Sequence, residues 1–281
     1  MGESAWVTMT RDLVHREAVE GVFIDSYRQP SARDVEFRLR QPAELNGFAS
    51  SARTINSLLV AEYLRQATIA YGHLAWDVPI GWAFIMGRME LTVEQTEATG
   101  ELTAHVSPLH PKLSTGALRS VTTAVTFRAD GEVFASGRGE LTVVTAAMYK
   151  RLRGDIAGQS FPRKPYESPD AVRLVQASAS GTEWDVLFDP TDAFFFDHAV
   201  DHTPGILLFA AVKQACIRAA GRLGTDIRQF DGRYVRYADL DEPLRVRVSP
   251  ENSHSTPDAF AVVVSGRDDR TILSARVEVA A

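Results

Sequence analysis

Cysteine is almost missing from this chain. Cys216 is the only one in 281 residues, so no intrachain disulfide can form, a Cys-based zinc site is excluded, and a reducing cytoplasm is the expected setting. Long hydrophobic runs are missing as well. The two longest uncharged apolar-rich stretches, Val78 to Gly87 and Thr203 to Val212, each run ten residues, against the roughly 18 that a spanning helix needs. No membrane segment is expected. Positive charge is in deficit: 30 basic against 36 acidic residues give a net charge of -6, which argues against nucleic acid as a partner. No Gly-rich phosphate loop or dinucleotide fingerprint occurs, so no nucleotide cofactor is expected. Met1 to Trp6 has neither the layout of a signal peptide nor a myristoylation site. These absences together predict a soluble cytoplasmic protein.

What is present suits a packed core. The chain is 45% hydrophobic and 23% charged, which rules out disordered and coiled-coil classes, and its length allows about two domains. Two long apolar segments have helical character, one from about Asn56 to Trp76, the other from Pro204 to about Leu223. Both are apolar around most of their circumference, so each must be covered on most sides, as a curved sheet can do. Four strand-like segments follow each of them. After the first come Trp82 to Thr92, Glu101 to Val106, Ala117 to Phe127 and Glu132 to Val144; after the second, Gly232 to Ala238, Leu244 to Ser249, Ala259 to Ser265 and Thr271 to Val279. The order is the same twice. Short matches reinforce it, such as Ser136-Gly137-Arg138-Gly139-Glu140 with Ser274-Ala275-Arg276-Val277-Glu278. The expected fold is α+β, a tandem or double hotdog with two antiparallel sheets, each wrapping a long central helix. Residues 1–149 form the first domain, 150–169 a Pro-bearing linker, and 170–281 the second domain.

Several polar residues stand out against these apolar helices. Glu62 and Arg65 share one helix face and are close enough to pair, and a buried carboxylate persists chiefly when partnered or used. Gln66 and Gln214 occupy matching places and suit hydrogen bonds from helix to sheet. His198 and His202 precede the second helix, each following an aspartate, where an imidazole can move protons near neutral pH. No third ligand group accompanies them, so no metal is expected. The amides of Gly205 and Ile206 open that helix, where partial positive charge favours a developing oxyanion. Arg65, Lys213, Arg88, Arg233 and Arg236 are candidate anion holders. Cys216 lies in an apolar run and is expected to be inert packing.

Three stretches carry a family resemblance. They are Phe195-Phe196-Asp197-His198-Ala199-Val200-Asp201-His202-Thr203-Pro204-Gly205 with Gln214-Ala215, Leu13-Val14-His15-Arg16 continuing to Val22-Phe23, and Leu58 to Ala67 reaching on to Trp82. On these the chain resembles the A-factor biosynthesis (AfsA-type, γ-butyrolactone synthase) hotdog family. The resemblance implies an acyltransferase that moves a β-ketoacyl group from an acyl-carrier-protein thioester to the hydroxyl of dihydroxyacetone phosphate, with ring closure then giving butyrolactone, butenolide or furan signals. A dehydratase or thioesterase of the same fold, or a non-catalytic acyl- or lactone-binding regulator, stays open. The family usually carries a Glu and an Arg where this chain has Ala210 and Lys213. By likeness to hotdog dehydratases, one site is therefore expected between the halves, with Glu62, Arg65 and His202 catalytic and His198, Gly205, Gln66 and Lys213 binding substrate.

Overall fold

A computed structural model describes residues 5–41, 54–154, 172–179, 181–251 and 258–280. The first helix, α1, runs Ser57–Trp76. Asn56 caps it by accepting from the Leu59 amide at 2.9 Å, and Asp77 closes it with a left-handed φ of 51°. Every residue of α1 is buried except Arg65, Leu74 and Trp76, as an all-round apolar helix requires. The second long helix, α3, runs Gly205–Ala219. It is shorter than its sequence suggests, because Gly221 turns the chain with a φ of 66°.

Strands surround both helices in the same order. Chain-wise they are β1 (Val7–Thr8), β2 (Ile24–Arg28), β3 (Val35–Leu39), β4 (Ala83–Val93), β5 (Leu102–Pro108), the short β6 (Lys112–Ser114), β7 (Ala117–Ala129) and β8 (Glu132–Val144). The second set is β9 (Val172–Gln176), β10 (Glu183–Phe188), β11 (Ile227–Tyr234), β12 (Leu244–Pro250), β13 (Ala259–Ser265) and β14 (Thr271–Val279). The sheet runs β1-β2-β3-β5-β7-β8-β4-β11-β14-β13-β12-β10-β9. With the two-residue β1 and the side strand β6 set aside, the order from either outer end is first leading strand, second leading strand, then the second, third, fourth and first strands after the helix. The repeat inferred from the sequence is thus written into the topology, and the fold is a tandem hotdog.

The two expected sheets are continuous. β4 and β11 pair antiparallel at the centre, with Glu90 opposite Asp231, and Arg88 neutralises both at 2.9 and 2.7 Å. Like charges directly opposite destabilise a sheet unless a cation lies between them. β11 begins at Ile227, five residues before its expected start. Residues 150–153 of the expected linker belong to a short helix, α2 (Ala146–Arg153), and residues 155–169 lie outside the described residues.

The core is one large cluster spanning both helices and both parts of the sheet. Tyr63 and Tyr71 of α1 and Phe209 of α3 are fully buried in it, each removing from water an area worth about 2 kcal/mol or more.

Candidate active site

Glu62 is fully buried in the middle of α1. Its Oε1 accepts from Arg16 Nη2 at 2.7 Å, Arg65 Nη2 at 2.8 Å and Gln66 Nε2 at 2.6 Å, and its Oε2 accepts from Arg65 Nε at 2.8 Å. Burial alone would raise its pKa, but the two guanidiniums dominate and hold it at about 2. A carboxylate held in this way, ionised and accepting four hydrogen bonds, orients cations. Gln66 carries the same network to the leading strands: it donates to Gly21 O at 2.7 Å and accepts from the Phe23 amide at 2.8 Å. In the second copy Gln214 donates to Val172 O at 2.8 Å.

Arg16 was not singled out from the sequence, yet it is the hub. It lies just past a 3-10 helix at Arg11–Val14, is 6% exposed, and touches Glu62, the Phe194 carbonyl at 2.8 Å and Asp197 at 3.4 Å. Asp197 is fully buried too. Burial opposes its charge, but Arg16 and His198 together hold its carboxyl well below the usual range. Its Oδ1 accepts from His198 Nδ1 at 2.5 Å and its Oδ2 from the Glu17 amide at 3.0 Å. His198, joined to Asp197 in this way, is tied through Arg16 to Glu62 across residues distant in sequence. In this cluster the side chains reaching solvent include Arg65, 23% exposed, and His198, 40% exposed.

His202 has other partners. Its Nδ1 lies 2.5 Å from Asp201 Oδ1, and its ring packs edge-on against Tyr237 at 4.7 Å. Asp201 also accepts from Tyr149 at 2.9 Å and from Arg153 at 3.0 Å, so α2 draws this second aspartate-histidine pair into its own group. Asp197 and Arg16 thus link His198 to Glu62, while His202 is held among Asp201, Tyr149 and Tyr237. Lys213 is likewise committed elsewhere, to Asp226 at 2.7 Å. Asp226 also accepts from the Ser57 amide at 2.7 Å, so Lys213 braces α3 against the start of α1. Gly205 begins α3, and no side chain caps that end. The start of α1 is capped by Asn56, whereas no side chain caps that of α3, whose first amides are suited to donate to an oxyanion. Arg88 and Arg236 are held by Asp231 and Glu242. Among the described residues no group of three His, Cys, Asp or Glu side chains converges as a metal site. Burial pushes the Cys216 thiol up.

The model of the A-factor biosynthesis hotdog domain matches residues 3–145 and 171–280. The chain belongs to the A-factor biosynthesis hotdog family. Among curated relatives, a 2-oxo-3-(phosphooxy)propyl 3-oxoalkanoate synthase of Streptomyces virginiae is 27% identical over 95% of this chain and 96% of its own length. One of the same name from Streptomyces coelicolor is 27% identical over 84% of this chain and 80% of its own. Solved structures of the same fold include an acyl-ACP thioesterase from Bacteroides thetaiotaomicron (TM-score 0.53, 11% identity, 88% of this chain and 97% of that one). Another is a 12:0-ACP thioesterase from Umbellularia californica (TM-score 0.54, 16% identity, 88% and 96%). Family members with two hotdog repeats thus share this architecture with thioesterases, and the site residues must decide the chemistry.

Proposed function

We propose that this chain is an acyltransferase that joins a β-ketoacyl group, delivered as an acyl-carrier-protein thioester, to the hydroxyl of dihydroxyacetone phosphate or a closely related acceptor. The product named for its relatives, a 2-oxo-3-(phosphooxy)propyl 3-oxoalkanoate, is the ester of those two parts. The oxygen–carbon bond forms as the carbon–sulfur bond breaks, and the hydroxyl proton ends on the carrier's sulfur. One observation carries the reading onto this site: Arg65, oriented by Glu62 through two hydrogen bonds at 2.8 Å, reaches solvent, as does His198 on the same ion-pair network. A guanidinium aimed by a buried carboxylate is suited to a phosphate, which it can grip with paired N–H groups.

In this reading Arg65 holds the acceptor phosphate. His198, its Nδ1 engaged by Asp197, presents Nε2 as an acceptor for an amide N–H of the carrier's pantetheine arm. The open amides at Gly205 and Ile206 polarise the thioester carbonyl. The test is to incubate the protein with a carrier-bound 3-oxoacyl thioester, with and without dihydroxyacetone phosphate, and weigh the products by mass spectrometry. Ester formation only with the acceptor is expected; release of free acid alone would show a thioesterase instead. In Arg65→Met the acceptor KM should rise about tenfold or more, a loss of over 1 kcal/mol, with the thioester KM nearly unchanged.

A further inference from the structure

The two histidine candidates before α3, His198 and His202, leave out another pair, His15 and His73. His15 follows the 3-10 helix with a left-handed φ of 52°, a conformation that non-glycine residues seldom adopt. That turn carries its ring to the end of α1, where His15 Nε2 lies 3.0 Å from His73 Nε2. His73 Nδ1 in turn lies 2.6 Å from the Val78 carbonyl. These two distances fix the protons. A carbonyl only accepts, so His73 Nδ1 carries hydrogen and, in a neutral ring, its Nε2 is bare. His15 must then donate from Nε2, which leaves His15 Nδ1 as an open lone pair.

The surroundings keep that lone pair open. Burial, then His73, Arg65 and His198, push the His15 pKa down to about 3, and burial lowers that of His73. Phe84 of β4 covers both rings edge-on, at 5.5 Å from His15 and 5.1 Å from His73. The charged or titratable groups facing His15 are thus His73 and Arg65 of α1 and His198 of the loop before α3. A proton placed on His15 beside Arg65 is unfavourable, but one passed on to His73 moves into the last turn of a 20-residue helix. There the Val78 carbonyl and the negative end of the helix dipole both stabilise a cation.

We infer that His15 and His73 are a two-ring proton relay in which His15 is the catalytic base and His73 its positioning partner. This rests on the acyl-transfer reading above. With the acceptor phosphate on Arg65, the acceptor hydroxyl gives its proton to His15 Nδ1 as its oxygen bonds to the thioester carbon. The Nε2 proton of His15 passes to His73 Nε2, so the charge rests on His73. When the carbon–sulfur bond breaks, the sulfur leaves as thiolate, the protons shift back along the two rings, and His15 Nδ1 returns its proton to the sulfur. Nothing is consumed besides the two substrates.

The test has a spectroscopic and a kinetic arm. In the wild-type protein labelled with nitrogen-15 histidine, NMR should find His15 protonated at Nε2 and His73 at Nδ1, both neutral between pH 6 and 8; the opposite tautomer on either ring overturns the relay. His73→Gln keeps a hydrogen-bonding group but cannot pass a proton, so kcat should fall about 100-fold with both KM values kept. His15→Asn, which tolerates the left-handed backbone, should do the same. If wild type makes ester and His73→Gln turns over within about threefold of it, the relay is wrong. If wild type makes no ester, the acyl-transfer reading falls first, and the base role with it.

Discussion

Replacing Glu62 by glutamine keeps the shape of the side chain and removes the charge that orients two arginines. Arg16, with a side chain only 3% exposed, would lose its 2.7 Å partner and keep the longer contact to Asp197 at 3.4 Å, and Arg65 would lose both of its bonds to a carboxylate. Removing one partner of a buried pair typically costs about 3–5 kcal/mol. The pKa gives a second route to the same figure. A fall from 4.5 to about 2 corresponds to about 3 kcal/mol of stability. Because the folded value is depressed, this contribution is present in full above the unfolded value of 4.5 and is lost as pH falls toward 2. Glutamine has no such dependence. Urea unfolding followed by tryptophan fluorescence should therefore show Glu62→Gln less stable by about 3–5 kcal/mol at pH 7, with the gap about 2 kcal/mol narrower at pH 3. Equal unfolding free energies, or a gap that stays constant between the two pH values, would refute the placing of Glu62 as an ionised anchor.

Two further outcomes follow from packing. Cys216 should resist iodoacetamide in the folded protein and react once unfolded in urea, since burial keeps its thiol protonated and covered; prompt labelling of native protein would contradict this. A Cβ at Gly72 would overlap the Phe84 ring, so Gly72→Ala should lower stability by about 1–3 kcal/mol in spite of its better helix propensity, and Phe84→Leu in the same chain should recover part of the loss. Thermal unfolding of the three proteins measures both effects, and a more stable Gly72→Ala would show that the ring yields freely.

The architecture was legible because its cause is local and repeated. A helix like α1, apolar on nearly every face, predicts its own enclosure, and two such helices with matching strand runs predict a duplicated unit. β11 was placed too late because Arg228, Gln229 and Asp231 interrupt its apolar pattern. In the sheet those residues flank Ile227 and Phe230, which point into the core. The site was harder. Glu62 with Arg65 could be found from helical spacing, since residues three apart share a face. Arg16 and Asp197 meet across most of the chain's length, and no spacing rule connects them. His198 and His202 look alike in sequence, each preceded by aspartate. What separates them is Arg16 on one side and Tyr149 with Arg153 of α2 on the other, which only folding brings near.

Lys213 and Asp226 show what covalent joining makes possible. In a dimer of identical chains any substitution appears twice, so a crevice cannot be given up on one side while the other is preserved. A single polypeptide carrying both copies escapes that constraint. Here the position matching Arg65 holds a lysine that serves as a strut, through Asp226, to the opening turn of the opposite helix. With no carboxylate–guanidinium pair of its own to keep, the helix of the rear copy is free to change for the sake of rigidity, and the front copy can refine its charges without a twin that must tolerate them.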